Sequence, residues 1–151
     1  MSEFRAGAVR YLVTDLERSV DFYTGIGFLL VQQRGPVAIL TNAALTLWLS
    51  GPGSSGSRPL PDGRSQRPGG SNRLVLEVSE IESRIAELER RGVPFRNTLE
   101  VGPGGKQVQV EDPDGNPIEL FEPASGGGFH AASAGGQAPR SSRAVDTAIS
   151  E

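Results

Sequence analysis

The chain repeats itself, and this internal repeat restricts its possible folds more than any other feature. The segments AVRYLVTDLERSVDFYTGIGF (residues 8–28) and RLVLEVSEIESRIAELERRGV (residues 73–93) align without a gap at an offset of 65. In each segment, apolar residues first occur at every second position, which is typical of a half-buried strand. They then recur at helical spacing, which is typical of an amphipathic helix. The duplication therefore indicates two copies of one strand–helix unit.

The two copies also agree in how their helices start, face the core and end. At each predicted helix start, a hydroxyl residue is followed three positions later by a glutamate, and this pattern predicts a capping box. The pairs are Thr14 with Glu17 and Ser79 with Glu82. The apolar helical faces are Leu16, Val20 and Tyr23 in the first copy and Ile81, Ile85 and Leu88 in the second. Gly27 and Gly92 are equivalent, and each is expected to end its helix.

Short β-rich runs follow each predicted helix, so the pattern favours an α+β fold of two βαβββ units in tandem. The first unit spans residues 8–50 and the second spans residues 73–122. The predicted runs are Phe28–Gln33, Val37–Leu40 and Leu45–Ser50, then a weaker one near Phe95–Asn97, followed by Lys106–Glu111 and Pro117–Glu122. The sequence DPDGN (residues 112–116) joins the last two runs and predicts a hairpin turn.

Two segments lie outside this pattern. Residues 51–71, called the linker below, are rich in Gly, Ser, Pro and Arg, and their length is unusual for a passive connection. We expect either a simple linker or a mobile flap. Residues 124–151 are mostly Gly, Ala, Ser and isolated charges, and we predict a disordered tail because they cannot bury enough apolar surface. The predicted folded domain is therefore residues 1–123.

Composition excludes several classes of function. The net charge is −3 and the arginines are dispersed among acids, which argues against a nucleic-acid-binding surface. The chain has no cysteine, so disulfides, zinc–thiolate sites and thiol catalysis are excluded. No apolar run approaches the length of a signal peptide or a membrane span. We therefore expect a cytoplasmic protein that interacts neither with membranes nor with nucleic acids.

Two motifs carry a resemblance to a known superfamily. The helix start DLERSVDFY and the closing sequence EDPDGNPIELFEP, in a doubled βαβββ frame, resemble the vicinal-oxygen-chelate superfamily. That superfamily includes glyoxalase I, extradiol dioxygenases, fosfomycin-resistance thiol transferases and bleomycin-resistance proteins. The resemblance covers residues 8–123 and implies a curved mixed sheet around a cleft, with the helices outside.

The resemblance also implies positions for metal ligands. In metal-using relatives these lie at the starts of the first strands and on the last strands, and they map onto Ala8, Arg73, Thr46 and Glu119. Only Glu119 could serve as a ligand, since alanine has no donor atom and an arginine repels a cation. The sole histidine, His130, lies in the predicted tail. We therefore predict no cofactor, and a divalent metal only if its site is non-standard.

Strand alternation predicts which side chains line the cleft. The predicted ligand-binding residues are Arg10, Leu12, Trp48, Arg73, Val75, Gln109, Glu119 and Phe121. Trp48 and Phe121 would form apolar walls, with a few polar groups to orient a ligand. Some alternatives remain open: Arg73 and Glu119 could instead form a salt bridge, Trp48 could simply pack in the sheet, and Arg10 could be a solvated rim residue.

These features favour a metal-independent small-molecule-binding protein similar to the bleomycin-resistance branch. It would sequester an aromatic or amphipathic compound, and the resemblance implies a homodimer. A first alternative is a glyoxalase-type lyase or isomerase, or a dioxygenase, with a non-standard metal site. Glu119 is then the only candidate catalytic residue, because the chain has one lysine, Lys106, and no Ser–His arrangement. A second alternative is an accessory protein with a vestigial cleft, so enzymatic activity stays undecided.

Overall fold

The computed structural model describes residues 3–125, over which the chain forms two α-helices and eight β-strands. In chain order they are β1 (Val9–Leu12), α1 (Leu16–Gly25), β2 (Leu29–Arg34), β3 (Val37–Asn42), β4 (Leu45–Ser50), β5 (Leu74–Glu77), α2 (Ile81–Arg90), β6 (Glu100–Gly102), β7 (Gly105–Glu111) and β8 (Pro117–Pro123). Neither helix is long and apolar enough to cross a membrane. The predicted disordered tail lies outside the described residues from position 126 onward, and so does His130.

The strand order confirms the predicted tandem βαβββ units. One four-stranded sheet has the order β1-β4-β3-β2, and the other has the equivalent order β5-β8-β7-β6. In the first sheet, β1 runs parallel to β4, while β3 pairs antiparallel with both β4 and β2. Each copy thus places its last strand beside its first strand.

The boundary between the two compact units does not follow the boundary of the repeat. The first unit comprises the chain up to Arg73 together with Glu111–Ile118, and the second comprises Leu74–Val110 together with the chain from Glu119 onward. Residues 112–116, called the closing turn below, come from the second copy in sequence but belong to the first unit.

Period-two alternation produces the core of the first unit. On β3 and β4 the buried residues Ala38, Leu40, Leu47 and Leu49 occupy alternate positions and share one face of the sheet. The Tyr23 ring from α1 is fully buried and meets the rings of Phe22 and Phe28 edge to face. Tyr23, the most buried residue of the predicted apolar face of α1, is therefore confirmed as a core residue.

The second unit is built in the same way. Its buried apolar residues are Leu74 on β5, Ile81 and Leu88 on α2, Val108 and Val110 on β7, and Leu120 on β8. Ile81 and Leu88 are seven positions apart, so they lie on one side of the helix. Gly27 and Gly92 follow the two helices with φ angles of 111° and 76°, which confirms them as the residues at which the chain reverses.

The predicted capping box of α1 is wrong. Asp15 is the N-cap, and its carboxylate accepts a hydrogen bond from the Arg18 amide at 3.1 Å. The Thr14 hydroxyl instead donates to Asp114. A carboxylate that is distant in sequence thus binds the hydroxyl that local spacing had assigned to the helix start.

The predicted capping box of α2 is also wrong. The residue before this helix is Glu80, which has a left-handed φ of 55° and makes no side-chain capping bond. The free amide of Ile81 donates instead to the Glu122 carboxylate on β8 at 2.9 Å. A tertiary acceptor therefore replaces the local one at this helix start.

The weak run near Phe95–Asn97 is not a strand of the sheet. Phe95 forms only an isolated bridge with Val110, and the edge strand is β6, which pairs antiparallel with β7. The Asn97 side chain accepts a hydrogen bond from the Gln109 amide at 2.8 Å. A side-chain acceptor thus takes the place of a backbone carbonyl opposite β7, which explains why pairing resumes only at Glu100.

Candidate functional site

The closing turn is organised around one buried carboxylate. Oδ1 of Asp112 accepts hydrogen bonds from the amides of Asp114 and Asn116, both at 2.9 Å. Its Oδ2 accepts from the Tyr23 hydroxyl at 2.8 Å and from the Asn116 side-chain amide at 2.9 Å. Burial raises the pKa of Tyr23, and the neighbouring Asp112 charge raises it further. The phenol therefore stays protonated and keeps donating to Asp112.

A second carboxylate of the turn holds the start of α1. Asp114 accepts hydrogen bonds from both the backbone amide and the hydroxyl of Thr14. It also forms an ion pair with Arg18, with 3.2 Å between Nη2 and Oδ1. Arg18 thus neutralises the charge of Asp114. The bonds to Thr14 fix the chain between β1 and α1.

Asn116 connects the closing turn to β1 and to the linker. Its side-chain amide donates to the carbonyl of Leu12 at 2.8 Å, and its Oδ1 accepts from the amide of Gly69 at 2.8 Å. Asn116 is buried, so each of these bonds replaces one that water would otherwise make. One side chain thereby sets the distance between a strand and the far end of the linker.

A concave pocket of about 310 Å³ lies where these three segments meet, within the first unit. It has walls from β1, from both ends of the linker and from the closing turn. The residues that line it include Arg10, Leu12, Gly56, Arg67, Asn72 and Asn116. The linker is therefore a wall of the pocket and not a passive connection.

Arg10 is held in place by three neighbours. Its Nη1 donates to the Ser50 hydroxyl at 2.8 Å, and its guanidinium carbon lies 5.0 Å from the centre of the Trp48 ring. Arg10 and Trp48 are directly paired across β1 and β4, so their side chains share one face of the sheet. Such a cation–π contact orients the guanidinium as well as attracting it.

The third neighbour of Arg10 is Gly56 in the short 3₁₀ turn Ser55–Ser57. A Cβ at position 56 would lie 2.5 Å from Nη1 and 2.7 Å from Cδ of Arg10. A side chain at position 56 would displace the arginine, because the linker backbone passes directly over the arginine side chain. The guanidinium is thus confined between the sheet and the linker.

The structure brings together three of the eight predicted ligand-binding residues. Arg10 and Leu12 line the pocket, and Trp48 contacts Arg10. Arg73 follows the linker and donates from Nη1 to the carbonyl of Ser71 at 3.1 Å. Its salt bridge with Glu119 stays a prediction.

The other four predicted residues lie on the second sheet. Val75 is exposed on β5, Gln109 is half-buried on β7, and Glu119 is buried and Phe121 half-buried on β8. The Phe121 carbonyl accepts a hydrogen bond from the Val78 amide, as expected for neighbouring strands. Their participation in one ligand site with Arg10 stays a prediction.

Sequence reasoning missed the pocket residues of the linker and the closing turn. Gly56, Arg67 and Asn72 lie in or beside a segment without apolar periodicity, so no pattern assigned them a face. The unusual length of the linker was the one signal that pointed to a role. Asn116 was recognised only as part of a turn signature, although its side chain also sets the position of Leu12 and Gly69.

The sequence profile of the Glyoxalase/Bleomycin resistance protein/Dioxygenase superfamily matches residues 5–120. The chain belongs to this superfamily. No curated protein gives a significant match.

Solved structures of the superfamily share the fold over most of the chain. A member from Sphaerobacter thermophilus is 27% identical with a TM-score of 0.60, covering 78% of this chain and 98% of its own. TnmS3, an antibiotic binding protein from Streptomyces sp. CB03234, is 26% identical with a TM-score of 0.57, covering 80% and 98%. A superfamily protein from Nocardioides is 24% identical with a TM-score of 0.62, covering 83% and 89%, and this likeness concerns the fold alone.

The donor atoms at the metal positions of the superfamily do not fit a divalent cation in this member. Ala8 precedes β1, and the pairing of Val9 with Leu47 sets it beside Thr46, so this pair supplies only a neutral hydroxyl. Arg73 adds a permanent positive charge, so Glu119 is the single anionic donor among the four positions. Within residues 3–125, no three His, Cys, Asp or Glu side chains are close enough to hold a metal ion. No catalytic step through a metal can be derived from these residues.

Proposed function

We propose that this protein binds and sequesters an aromatic or amphipathic small molecule without using a metal. The observation that carries the proposal is the pocket of the first unit, in which Arg10 lies over the Trp48 ring and beside the linker backbone. Concave sites with fixed polar groups are typical of small-molecule binding. Most side chains that line this pocket are polar. Leu12 provides apolar surface here, and the arginine provides directed donors.

One relative supports the same class of function. TnmS3 is described as an antibiotic binding protein, and it is 26% identical to this chain over 80% of its length. Binding without chemical conversion also agrees with the donor set at the four metal positions, where Glu119 is the single anionic side chain beside Ala8, Thr46 and Arg73. Both arguments favour a binding protein over a glyoxalase-type enzyme.

The proposal includes a cytoplasmic homodimer. The edge strand β2 supports dimer formation, since Leu29 and Val31 are 71% and 61% exposed there. An edge strand with exposed apolar side chains is a surface that a second copy can cover. Native mass spectrometry of the purified chain would test this part, and a monomer at micromolar concentration would contradict it.

Ligand-dependent stabilisation tests the proposal as a whole. We expect at least one compound from a panel of aromatic and amphipathic molecules to raise the melting temperature, equally before and after treatment with EDTA. A ligand at about 100 times its Kd should add about 2.7 kcal/mol to the free energy of unfolding. Native mass spectrometry of the same sample would show any metal or ligand that purifies with the protein.

Two results would contradict the proposal. One is a stoichiometric divalent metal whose binding is lost in Glu119→Gln, because this would favour the enzymatic alternative. The other is a complete absence of stabilisation by every compound, because this would favour an accessory protein with a vestigial site.

A further inference from the structure

We infer that the pocket of the first unit recognises an anionic group of the ligand, a carboxylate or a phosphate, through Arg10 and Arg67. This inference rests on the proposed small-molecule binding and specifies the class of ligand. It starts from the charges of the pocket wall. Two arginines line the pocket, and its wall contains no aspartate or glutamate.

Neither arginine is neutralised by the protein. Within residues 3–125, the Arg10 side chain contacts the Ser50 hydroxyl and the Trp48 ring but no carboxylate, and Arg67 forms no ion pair or hydrogen bond. Linker arginines can be paired, as Arg64 is with Asp62 at 2.7 Å. An unpaired arginine on a surface is common, but two that converge on one concave wall without a carboxylate create a local positive potential.

Arg10 is also preorganised for a ligand. A guanidinium has five N–H donors in a fixed plane, and the bond to Ser50 occupies one of them. The Trp48 ring and Gly56 restrict where this plane can lie. A planar donor group that is already oriented loses little conformational entropy when it binds a carboxylate or phosphate.

The amide side chains around the pocket have separate roles. Asn116 donates to Leu12 and Asp112, and Gln66 donates to the carbonyl of Arg58, so both shape the wall. Asn72 lines the pocket, and its amide makes no hydrogen bond within the described part of the chain. It can therefore supply a further neutral donor. The set of two cations and one neutral donor fits an anion and repels a cation.

Matched probes separate charge recognition from ring binding. We would measure the affinities of 2-naphthoate, 2-naphthyl phosphate and the uncharged 2-naphthamide by isothermal titration calorimetry. We expect the better anion to bind about tenfold or more tightly than the amide, with the preference falling as salt screens the arginines. The ratio of the two anions shows which acid group the pocket prefers.

Variants identify the residues responsible. In Arg10→Gln and Arg67→Gln we expect the preference for the anion to fall to about twofold or less, while Arg10→Lys keeps part of it. Arg64→Gln is the matched control, because Arg64 lies in the same linker but is already paired with Asp62. It should bind all three probes as the unmodified protein does.

A second pair of variants tests the position of Arg10 without changing the charge. Gly56→Ala should displace the guanidinium and lower the anion preference, while Ser55→Ala, one residue earlier, should not. Trp48 is the single tryptophan, so its fluorescence should change in Gly56→Ala and report the displacement directly. Thermal melts of each variant show whether it is folded.

Equal affinities for the anions and the amide, unaffected by the arginine variants, would overturn the inference and leave the proposed binding function in place. Binding of the anions that persists unchanged in both arginine variants would also overturn it. If the anions bind and the amide does not, and the arginine variants abolish this binding, the inference holds.

Discussion

The Tyr23 hydroxyl donates a 2.8 Å hydrogen bond to Asp112, although the two residues are 89 positions apart in the chain. Both are almost completely buried, Tyr23 at 0% and Asp112 at 2% exposure. The bond joins the last turn of α1 to the closing turn. Within the closing turn, Asp114 binds Thr14, and Asn116 binds Leu12 and Gly69. The buried Tyr23–Asp112 pair therefore supports the wall of the proposed ligand pocket.

Removing the Tyr23 hydroxyl should destabilise the fold. Tyr23→Phe keeps the ring in the core but leaves a buried carboxylate with one donor fewer, at a cost of about 1–3 kcal/mol in the free energy of unfolding. Urea denaturation measures the loss. Thr24→Ala, which removes the exposed hydroxyl next in the chain, should change the same quantity by less than about 0.5 kcal/mol. Equal effects of the two substitutions would show that the buried bond contributes nothing specific.

The same residue should make the fold sensitive to alkaline pH. The pKa of Tyr23 is raised in the folded state, mainly by burial, so its stabilising contribution is complete below the unfolded pKa of about 10. As the pH rises above about 10, only the unfolded chain ionises at this tyrosine, and the free energy of unfolding falls. We expect a smaller fall in Tyr23→Phe than in the unmodified protein. Parallel stability curves for the two proteins above about pH 10 would refute this assignment.

Asp114 and Asp62 both pair with an arginine, but they should contribute differently to the free energy of unfolding. Asp114 has a side chain only 5% exposed and holds Thr14 as well as Arg18, whereas Asp62 is 54% exposed and pairs only with Arg64. We expect Asp114→Ala to lower the free energy of unfolding by about 1–3 kcal/mol, because it removes the acceptor of the Thr14 amide and hydroxyl and of the buried Ser19 hydroxyl. Asp62→Ala should cost less than about 1 kcal/mol. Chemical denaturation of both variants provides the comparison, and a larger loss in Asp62→Ala would contradict it.

The start of α2 should depend on Glu122 and not on Ser79. Glu122→Ala removes the acceptor of the Ile81 amide and should cost about 0.5–2 kcal/mol, the usual contribution of a helix cap. Ser79→Ala is the matched control at the position where local spacing predicts the cap. Hydrogen exchange of the first turn of α2 measures the effect locally. Faster exchange in Ser79→Ala than in Glu122→Ala would restore the capping-box interpretation.

Two adjacent glycines at the start of β7, Gly104 and Gly105, should differ strongly in the effect of an alanine substitution on stability. Gly105 has a φ of 146°, and a Cβ there would collide with the carbonyl of Glu122, so Gly105→Ala should cost at least about 2 kcal/mol. Gly104 has open space around the same position, and Gly104→Ala should change stability by less than about 1 kcal/mol. Thermal unfolding of the two variants distinguishes them. Similar melting temperatures would contradict the predicted collision.

The fold was predictable because its determinants are periodic and local. Alternation in β4 and β7 and the helical spacing of Tyr23, Ile81 and Leu88 are visible in short windows of sequence. The helix caps were not predictable in the same way. Asp114 binds the Thr14 hydroxyl across 100 positions, so the neighbouring Asp15 caps α1 instead. At the start of α2, Glu122 binds the Ile81 amide across 41 positions and replaces the local acceptor.

The candidate site was predictable only where it lies on strands. Alternation placed Arg10 and Leu12 on one face of β1, and cross-strand pairing with β4 added Trp48. Arg67 and Gly56 were missed because a segment rich in glycine and proline carries no periodicity from which to assign a face. Their role depends on the backbone path of the linker, which is fixed by bonds such as that from Gly69 to Asn116.

The membership of residues 111–118 in the first unit has a consequence for synthesis. During translation, β1 to β4 leave the ribosome long before the closing turn is synthesised. The hydrogen-bond partners of Tyr23, Thr14 and Leu12 in this turn therefore emerge about a hundred residues later. Contacts of such sequence separation slow folding. The nascent first copy should therefore stay incomplete until the closing turn has left the ribosome, and a chain truncated before this turn should be a substrate for chaperones and proteases.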